Sequence, residues 1–142
     1  MPLSTDEISA ALAAVPLFKG VSSESMTRLV AVTGEQEFAP GQFIVVQGQI
    51  GTGLYVIVRG ACKVIRGSDE IADLGPGDFF GELAVIDQMP RSASVQAAEP
   101  TSCLALASWD LLDLLESDPK LSLNMIRGLV DRIREFGEHH RN

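Results

Sequence analysis

The chain has few cysteines and no long apolar run, and each shortage excludes a class of protein. Only Cys62 and Cys103 are present, and each lies inside an apolar run. We interpret them as small buried hydrophobic residues rather than as a disulfide pair, which fits a reducing cytoplasm. No apolar run approaches the ~18 residues of a membrane span, and the N-terminus lacks a basic-then-apolar signal pattern. The sequence therefore predicts a cytoplasmic location without direct membrane contact.

Basic residues are also scarce. Eleven Lys and Arg stand against 19 Asp and Glu, which gives a formal net charge of −8. This balance argues against a broad nucleic-acid surface, because binding the phosphate backbone needs clustered positive charge. A small anion would have to be held locally, since long-range attraction would work against it. With 142 residues and 46% apolar composition, the chain fits one domain with a hydrophobic core.

Sequence signals for catalysis and for metal binding are missing. No nucleophile with a neighbouring base can be identified. His139 and His140 have no Cys or acidic ligand at metal spacing, and positive charge near a helix C-terminus is a sufficient role for them. The glycines of residues 75–81 do not have the spacing of the dinucleotide fingerprint. We therefore predict a protein that is not an enzyme and has no metal site or cofactor.

Local signals predict helices at both ends of the chain. Ser4 and Glu7 have the spacing of a capping box, and Ser22 or Ser23 caps a second helix. Near the C-terminus, Asp118 followed by Pro119 is a strong signal for the start of the last helix.

Between these helices, from Gly34 onward, glycines separate short apolar runs such as residues 54–58 and 61–65. Strands at this regular spacing imply a sandwich or barrel, so we predict a mainly β jelly roll with helices at both ends. Ser108 is predicted to cap the helix that follows the last strand.

The last helix, which we predict from Lys120 to about Phe136 or beyond, carries two apolar stripes. One consists of Leu123, Ile126, Val130 and Ile133, and the other of Leu121, Met125, Leu129 and Phe136. One stripe is enough for docking on the β-roll. The other is predicted to need a partner, such as a second copy of the chain or a host protein.

Residues 79–95 contain the parts needed to hold a sugar phosphate. Gly81 lets the backbone come close to a ligand, and a short helical turn starting there aims N–H groups at an anion. The Glu82 carboxylate can accept two hydroxyl hydrogens, as a ribose edge requires. Arg91 supplies a planar fork that matches two phosphate oxygens. Ser92 adds a hydroxyl and a backbone N–H beside the same phosphate.

This segment resembles the phosphate-binding cassette of the cyclic nucleotide-binding domain family, which includes the catabolite activator protein, protein kinase A regulatory subunits and nucleotide-gated channels. The resemblance extends through the glycine-punctuated residues 48–60 and the turn at residues 74–79. It implies an eight-stranded roll with a short cassette helix, in a single domain. The predicted parts are N-terminal helices at 1–34, a β-roll at 35–107 with the cassette at 79–95, and C-terminal helices at 108–142.

Isolated charges such as Glu82 and Arg91 are usually surface residues. Here their apolar flanks predict burial, and a buried charge needs a partner. We expect Glu82 and Arg91 to pair with each other when the site is empty and with a ligand when the site is occupied.

The resemblance implies a set of ligand-binding residues, with the alternative of simple packing at some of them. In relatives, the backbone N–H at Ala84 faces the cyclic phosphate, and a hydroxyl at Ser92 either contacts guanine or caps the loop. Alignment with the catabolite activator protein makes Phe136 a lid on the purine or a core residue. The full predicted set is Gly81, Glu82, Leu83, Ala84, Arg91, Ser92, Ala93 and Phe136.

The resemblance predicts a regulatory domain that binds cAMP in preference to cGMP and transmits occupancy through its terminal helix to a second copy or a host protein. The chain stops at Asn142, where transcription factors of the family begin a helix-turn-helix. We therefore expect no direct nucleic-acid contact and a domain that acts through a partner or belongs to a longer protein. Two alternatives stay open: a degenerate interaction module without nucleotide, and a sensor of another small molecule or of haem.

Overall fold

The fold consists of two antiparallel sheets with helices at both ends. The structure, a computed structural model, describes residues 2–51, 53–81 and 89–139. The helices are α1 (Thr5–Ala13), a 3-10 turn (Pro16–Phe18), α2 (Ser23–Val32), α3 (Ser108–Ser117) and α4 (Pro119–His139). The strands are β1 (Thr33–Phe38), β2 (Phe43–Val45), β3 (Gly53–Arg59), β4 (Cys62–Arg66), β5 (Asp69–Leu74), β6 (Phe79–Phe80), β7 (Ser94–Ala97) and β8 (Thr101–Ala107).

The described strands form two four-stranded sheets, in the orders β1-β8-β3-β6 and β2-β7-β4-β5. This arrangement confirms the predicted mainly β fold with flanking helices. The helices give way to strands at Thr33, just before the boundary predicted after residue 34. Thr33 both donates its hydroxyl to the Leu29 carbonyl and pairs with Leu106 of β8.

The first sheet separates two hydrophobic clusters, because side chains alternate across a strand. One face packs against the helices through buried residues that include Leu54, Val56, Leu104, Leu106, Leu17, Leu29, Leu111 and Leu121. The other face points into the roll, where Ile57 and Cys103 meet Cys62 and Val95 of the second sheet. The N-terminal and C-terminal helices therefore pack together on the same outer face of the roll.

The predicted caps are confirmed at α1 and α2 and wrong at α3. Ser4 and Glu7 form the reciprocal capping box, and the hydroxyl of Ser22 accepts from the Ser25 N–H. Ser108 does not cap α3, because Ala107 occupies the cap position with extended backbone and Ser108 is already helical. The chain passes directly from β8 into α3, which leaves no turn for a side-chain cap.

Helix α4 buries one of its two apolar stripes. Leu121 and Met125 join the core, and Leu129 packs against it. The other stripe stays exposed, with 40% to 69% of each side chain accessible at Leu123, Ile126, Val130 and Ile133. The side chain of Phe136 lies outside the described residues. Among the described helices, none is long and apolar enough to cross a lipid bilayer.

Asp118 ties the junction of α3 and α4 to helix α2. It is only 6% exposed, and its carboxylate accepts from the Leu121 N–H at 3.1 Å and from the Ser25 hydroxyl. Arg28 lies 3.4 Å from the same carboxylate. These donors, Ser25 first, hold the pKa of Asp118 below its ordinary value.

We expect the lowered pKa of Asp118 to make stability depend on pH. A carboxyl with a lower pKa in the folded state stabilises the protein above its unfolded pKa, near ~3.9, and this contribution is lost as the pH falls through the folded pKa. Asp118→Asn should cost about 1 to 2 kcal/mol at pH 7. Because only the ionised group has this advantage, the difference from wild type should shrink below pH ~4.

Urea unfolding of both proteins at pH 7 and at low pH measures this difference. Asp113→Asn is the control, because Asp113 is exposed on α3. A difference between wild type and Asp118→Asn that is equal at both pH values would contradict the assigned role.

Candidate ligand-binding site around Arg91

The backbone of Arg91 is held by the turn that follows β2. Its N–H donates to the Gln49 carbonyl at 2.8 Å, and its carbonyl accepts from the Gly48 N–H at 2.9 Å. A bridge between Ile50 and Pro90 continues this pairing. The backbone at Arg91 is therefore hydrogen-bonded to residues 48–50 and does not lie in an unpaired loop.

The side chain of Arg91 turns into the roll and is 8% exposed. Its Nη2 donates to the carbonyl of Gly53, the first residue of β3, at 2.7 Å. A buried guanidinium needs hydrogen-bond acceptors and a compensating charge, because burial removes it from water. The Gly53 carbonyl supplies one acceptor and fixes the orientation of the fork.

Gly81 lies against the same guanidinium. It follows β6 directly and has φ of 95°, a conformation that favours glycine. A Cβ there would lie 2.5 Å from the Gly53 carbonyl oxygen and would overlap Nη1 of Arg91. From the sequence, we predicted that Gly81 lets the backbone come close to a ligand. The structure adds that the glycine also leaves room for Arg91.

Gly53 contributes its carbonyl to the Arg91 site, although the sequence indicates it only as one of the glycines in residues 48–60. A Cβ at this position would lie 2.7 Å from the Leu106 carbonyl oxygen on β8. Glycine therefore lets β3 and β8 come close, and it presents its carbonyl to Arg91. The available signal was a glycine at the start of a strand, which does not indicate its distant partner.

A small cavity of about 80 Å³ lies beside Arg91. Its wall includes the apolar side chains of Ile44, Val46 and Ile50, together with Tyr55. The Tyr55 ring stacks on Phe80 of β6, with ring centroids 5.3 Å apart. The site thus places a cation next to apolar and aromatic surface, which suits an anionic group attached to a less polar body.

The predicted residues after Arg91 differ in exposure. Ser92 is exposed and Ala93 is half-buried, and the Ser92 carbonyl accepts from Nε of Arg66 at 3.4 Å. Ser94 is the first residue of β7, and its hydroxyl accepts from the Gln47 N–H at 2.8 Å.

The structure brings Gly81 and Arg91 together and describes Ser92 and Ala93 next to Arg91, but it does not describe four members of the predicted set. Glu82, Leu83 and Ala84 lie outside the described residues. Phe136 lies on α4, and its side chain is also outside them. Their proposed contacts stay predictions.

Both cysteines are free and buried inside the roll, as predicted. Burial raises the pKa of the Cys103 thiol to about 12, and it also raises that of Cys62. The thiols are therefore neutral at physiological pH. Within the described ranges, no group of three or more His, Cys, Asp and Glu side chains could hold a metal ion.

Comparisons with known proteins support the family resemblance. Residues 35–118 match the family profile described as the cyclic nucleotide-binding domain. The "Cyclic AMP receptor protein" of Thermus thermophilus is 35% identical over 125 residues, covering 84% of this chain and 58% of that protein. The "cGMP-dependent protein kinase" of Toxoplasma gondii is 37% identical over 102 residues, covering 72% of this chain and 10% of that protein.

Among solved structures, the N-terminal domain of a transcriptional regulator from Streptomyces coelicolor A3(2) superposes with a TM-score of 0.81 at 30% identity. That match covers 91% of this chain and 94% of the Streptomyces domain. By contrast, the chain spans only part of the curated relatives that it matches, 58% of the Thermus protein and 10% of the Toxoplasma kinase.

Proposed function

The chain belongs to the cyclic nucleotide-binding domain family, and from that premise we propose that it is a regulatory domain that binds cAMP in preference to cGMP and catalyses no reaction. The observation that carries this proposal is the Arg91 guanidinium, buried at the end of the roll and oriented by the Gly53 carbonyl. A planar fork in this position suits the two free oxygens of a cyclic phosphate.

The ribose and the phosphate would be bound by the cassette residues next to Arg91. We propose that Glu82 accepts the ribose 2′-hydroxyl and that backbone N–H groups from Leu83 and Ala84 face the phosphate. Support comes from the matched family profile, which includes these positions, and from Gly81, which lies against the Arg91 guanidinium. Ser92 and Ala93 would contribute backbone N–H groups on the other side.

The proposal also specifies the base, which is adenine rather than guanine. The Thermus relative, which matches over 84% of this chain, is named as a cyclic AMP receptor, and this supports cAMP. cGMP is the second candidate, because the exposed Ser92 can offer its hydroxyl to the 2-amino group of guanine. Phe136 would stack on the base in either case.

We further propose that α4 passes the signal on. Its exposed stripe from Leu123 to Ile133 offers apolar surface for a partner, which is either a second copy of the chain or a host protein. Nucleotide shifts the position of this helix only if it binds one position more tightly than another. Contact between Phe136 and the base would supply that difference.

Calorimetric titration with cAMP, cGMP and 2′-deoxy-cAMP tests the proposal. We expect saturable binding with cAMP bound more tightly than cGMP. The 2′-deoxy ligand should bind about five- to a hundredfold more weakly, because the Glu82 carboxylate would lose its donor. In Glu82→Gln, the penalty for removing the 2′-hydroxyl should shrink.

The outcomes separate the alternatives. If neither cAMP nor cGMP binds, the degenerate interaction module is favoured. An equal 2′-deoxy penalty in wild type and in Glu82→Gln would show that another residue binds the hydroxyl.

A further inference from the structure

Strand β1 forms an open edge of the first sheet. It pairs with β8 on one side and ends the strand order on the other. Residues 34–37 are all exposed, although the side chains of a strand alternate between two faces. Beyond the β8 ladder, no backbone hydrogen bond of these four residues occurs in the described part of the chain. Because every second residue of an edge strand directs its N–H and C=O away from the sheet, β1 offers backbone donors and acceptors to a further strand.

β1 is also the most regular of the described edge strands. Its register with β8 continues without a shift from Thr33 to Phe38. The edge strands β2 and β5 each contain a register shift, and β6 has only two residues. Exposed edges are commonly protected by bulges, proline or lysine, and β1 contains none of these. This strand therefore has the length and regularity that pairing with a further strand requires.

The outer face of β1 is acidic. Glu35 pairs with Leu104, which packs against the helices, so Glu35 and Glu37 both point to the outer face. Both side chains are exposed, and Oε1 of Glu35 accepts from the Leu3 N–H at 2.6 Å. A groove of about 370 Å³ lies beside the two carboxylates, with Ile8 of α1 in its wall. A basic side chain on an added strand would reach this groove.

The inner face of β1 borders a hollow of about 240 Å³. Gln36 pairs with Cys103, which is buried inside the roll, so Gly34 and Gln36 point to this face. No atom beyond its sequence neighbours lies within 4 Å of a Cβ added at Gly34, as far as the described residues show. Trp109 of α3 also lines the hollow and is 66% exposed. The space therefore suits an apolar side chain that covers the Trp109 ring.

We propose that β1 is the docking edge for an extended peptide segment of a partner protein, in which basic residues alternate with apolar ones. The peptide backbone continues the first sheet beyond β1, and alternate side chains give the specificity. The basic side chains meet Glu35 and Glu37 on the outer face, and the apolar side chains enter the hollow beside Trp109. The net charge of −8 also favours a cationic partner.

Like charge argues against a second copy of the chain at this edge. Two β1 strands that pair with matching faces would bring Glu35 and Glu37 of both copies together on the outer face. Like charges opposite each other on neighbouring strands are destabilising. A basic segment replaces this repulsion with attraction.

A titration with a synthetic peptide tests the proposal, with Trp109 fluorescence as the readout. Trp109 is the only tryptophan of the chain, so its emission reports on this edge. The probe is a short peptide of alternating Lys and Val with blocked ends, about as long as β1. We expect saturable binding and a shift of the emission to shorter wavelengths, because the peptide covers an exposed ring.

The titration uses protein without nucleotide, because the hollow shares Gly53 and Tyr55 with the Arg91 site. The proposal does not depend on the proposed nucleotide binding. Peptide binding and cAMP binding can therefore succeed or fail separately.

Two N-methylated forms of the probe test backbone pairing. One carries N-methyl groups on its Lys residues and the other on its Val residues. Because only one of these two sets directs its N–H groups toward β1, one form should bind at least about tenfold more weakly, or ~1.4 kcal/mol, and the other should bind like the parent peptide. Equal affinity of all three peptides would show that no strand is added and would overturn the proposal.

Charge reversal tests the outer face. Glu37→Lys should weaken binding of the Lys and Val peptide about fivefold or more, because repulsion replaces attraction. Glu116→Lys is the matched control, since it makes the same change at an exposed position of α3. An equal loss of affinity in the two variants would show that only net charge matters.

Two further results would also overturn the proposal. One is the absence of a saturable shift of the Trp109 emission with the parent peptide. The other is a shift that appears with rising protein concentration alone, together with a dimer in sedimentation, because a second copy would then occupy the edge.

Discussion

Arg91→Ala is expected to lower the affinity for cAMP by about thirtyfold to several thousandfold while leaving the fold intact. Removing one partner of a buried, charged hydrogen-bond pair costs roughly 2 to 5 kcal/mol, which gives this range. Arg91 is the only Lys or Arg in residues 79–95, so no neighbouring cation in the cassette can replace it.

The fold should survive because the two backbone hydrogen bonds of residue 91 do not need the side chain. The Gly53 carbonyl would lose one donor, at a cost of about 1 kcal/mol. Circular dichroism and thermal unfolding should therefore stay close to wild type.

Lys63→Ala is the charge-matched control. Lys63 pairs with Glu70 on an exposed part of β4 and β5, so its loss changes the net charge equally without touching the site. Calorimetric titration of the three proteins at one salt concentration makes the comparison. Near wild-type affinity in Arg91→Ala would disprove the phosphate assignment.

Gly81→Ala should impair both stability and binding. A non-glycine residue in the left-handed region costs roughly 1 to 2 kcal/mol. In addition, the new methyl would overlap the Arg91 guanidinium and would lie 2.5 Å from the Gly53 carbonyl oxygen. Since Arg91 must move to relieve this overlap, we expect at least about a tenfold loss of cAMP affinity, or ~1.4 kcal/mol.

Gly77→Ala isolates the effect of the overlap. Gly77 has φ of 92°, close to that of Gly81, but in the described part of the chain no atom beyond its sequence neighbours lies within 4 Å of its added Cβ. It should show the same backbone strain by urea unfolding and a nearly unchanged affinity. If the two variants lose affinity equally, the displacement of Arg91 is not the cause.

The sequence was sufficient where a feature depends on nearby residues. The capping box was predicted from the spacing of Ser4 and Glu7, and the Asp118 cap of α4 was predicted from the Pro119 that follows it. Helical periodicity predicted two apolar stripes on α4, of which one is enough for docking, but it did not predict which stripe is buried. The cap at Ser108 was wrong by one position, because pairing extends β8 to Ala107 and tertiary pairing overrides a local preference.

The sequence was insufficient where partners are distant. Nothing local indicates that Asp118 accepts from Ser25 on another helix, or that Arg91 donates to Gly53. The cassette motif identified Arg91 as important, but only the fold identifies the carbonyl that orients it. Likewise, the sequence does not indicate that Gly128 of α4 lies close to the 3-10 turn.

The Arg91 site is built from segments that meet only in the folded chain. Gly53 and Arg91 are 38 positions apart, so the proposed nucleotide site does not exist in the unfolded chain. A ligand that binds only the native state stabilises it by mass action, by about 2.7 kcal/mol at a hundred times its Kd. Proteases in a cell act mainly on the unfolded fraction. Protein with bound nucleotide would therefore be degraded more slowly than protein without nucleotide.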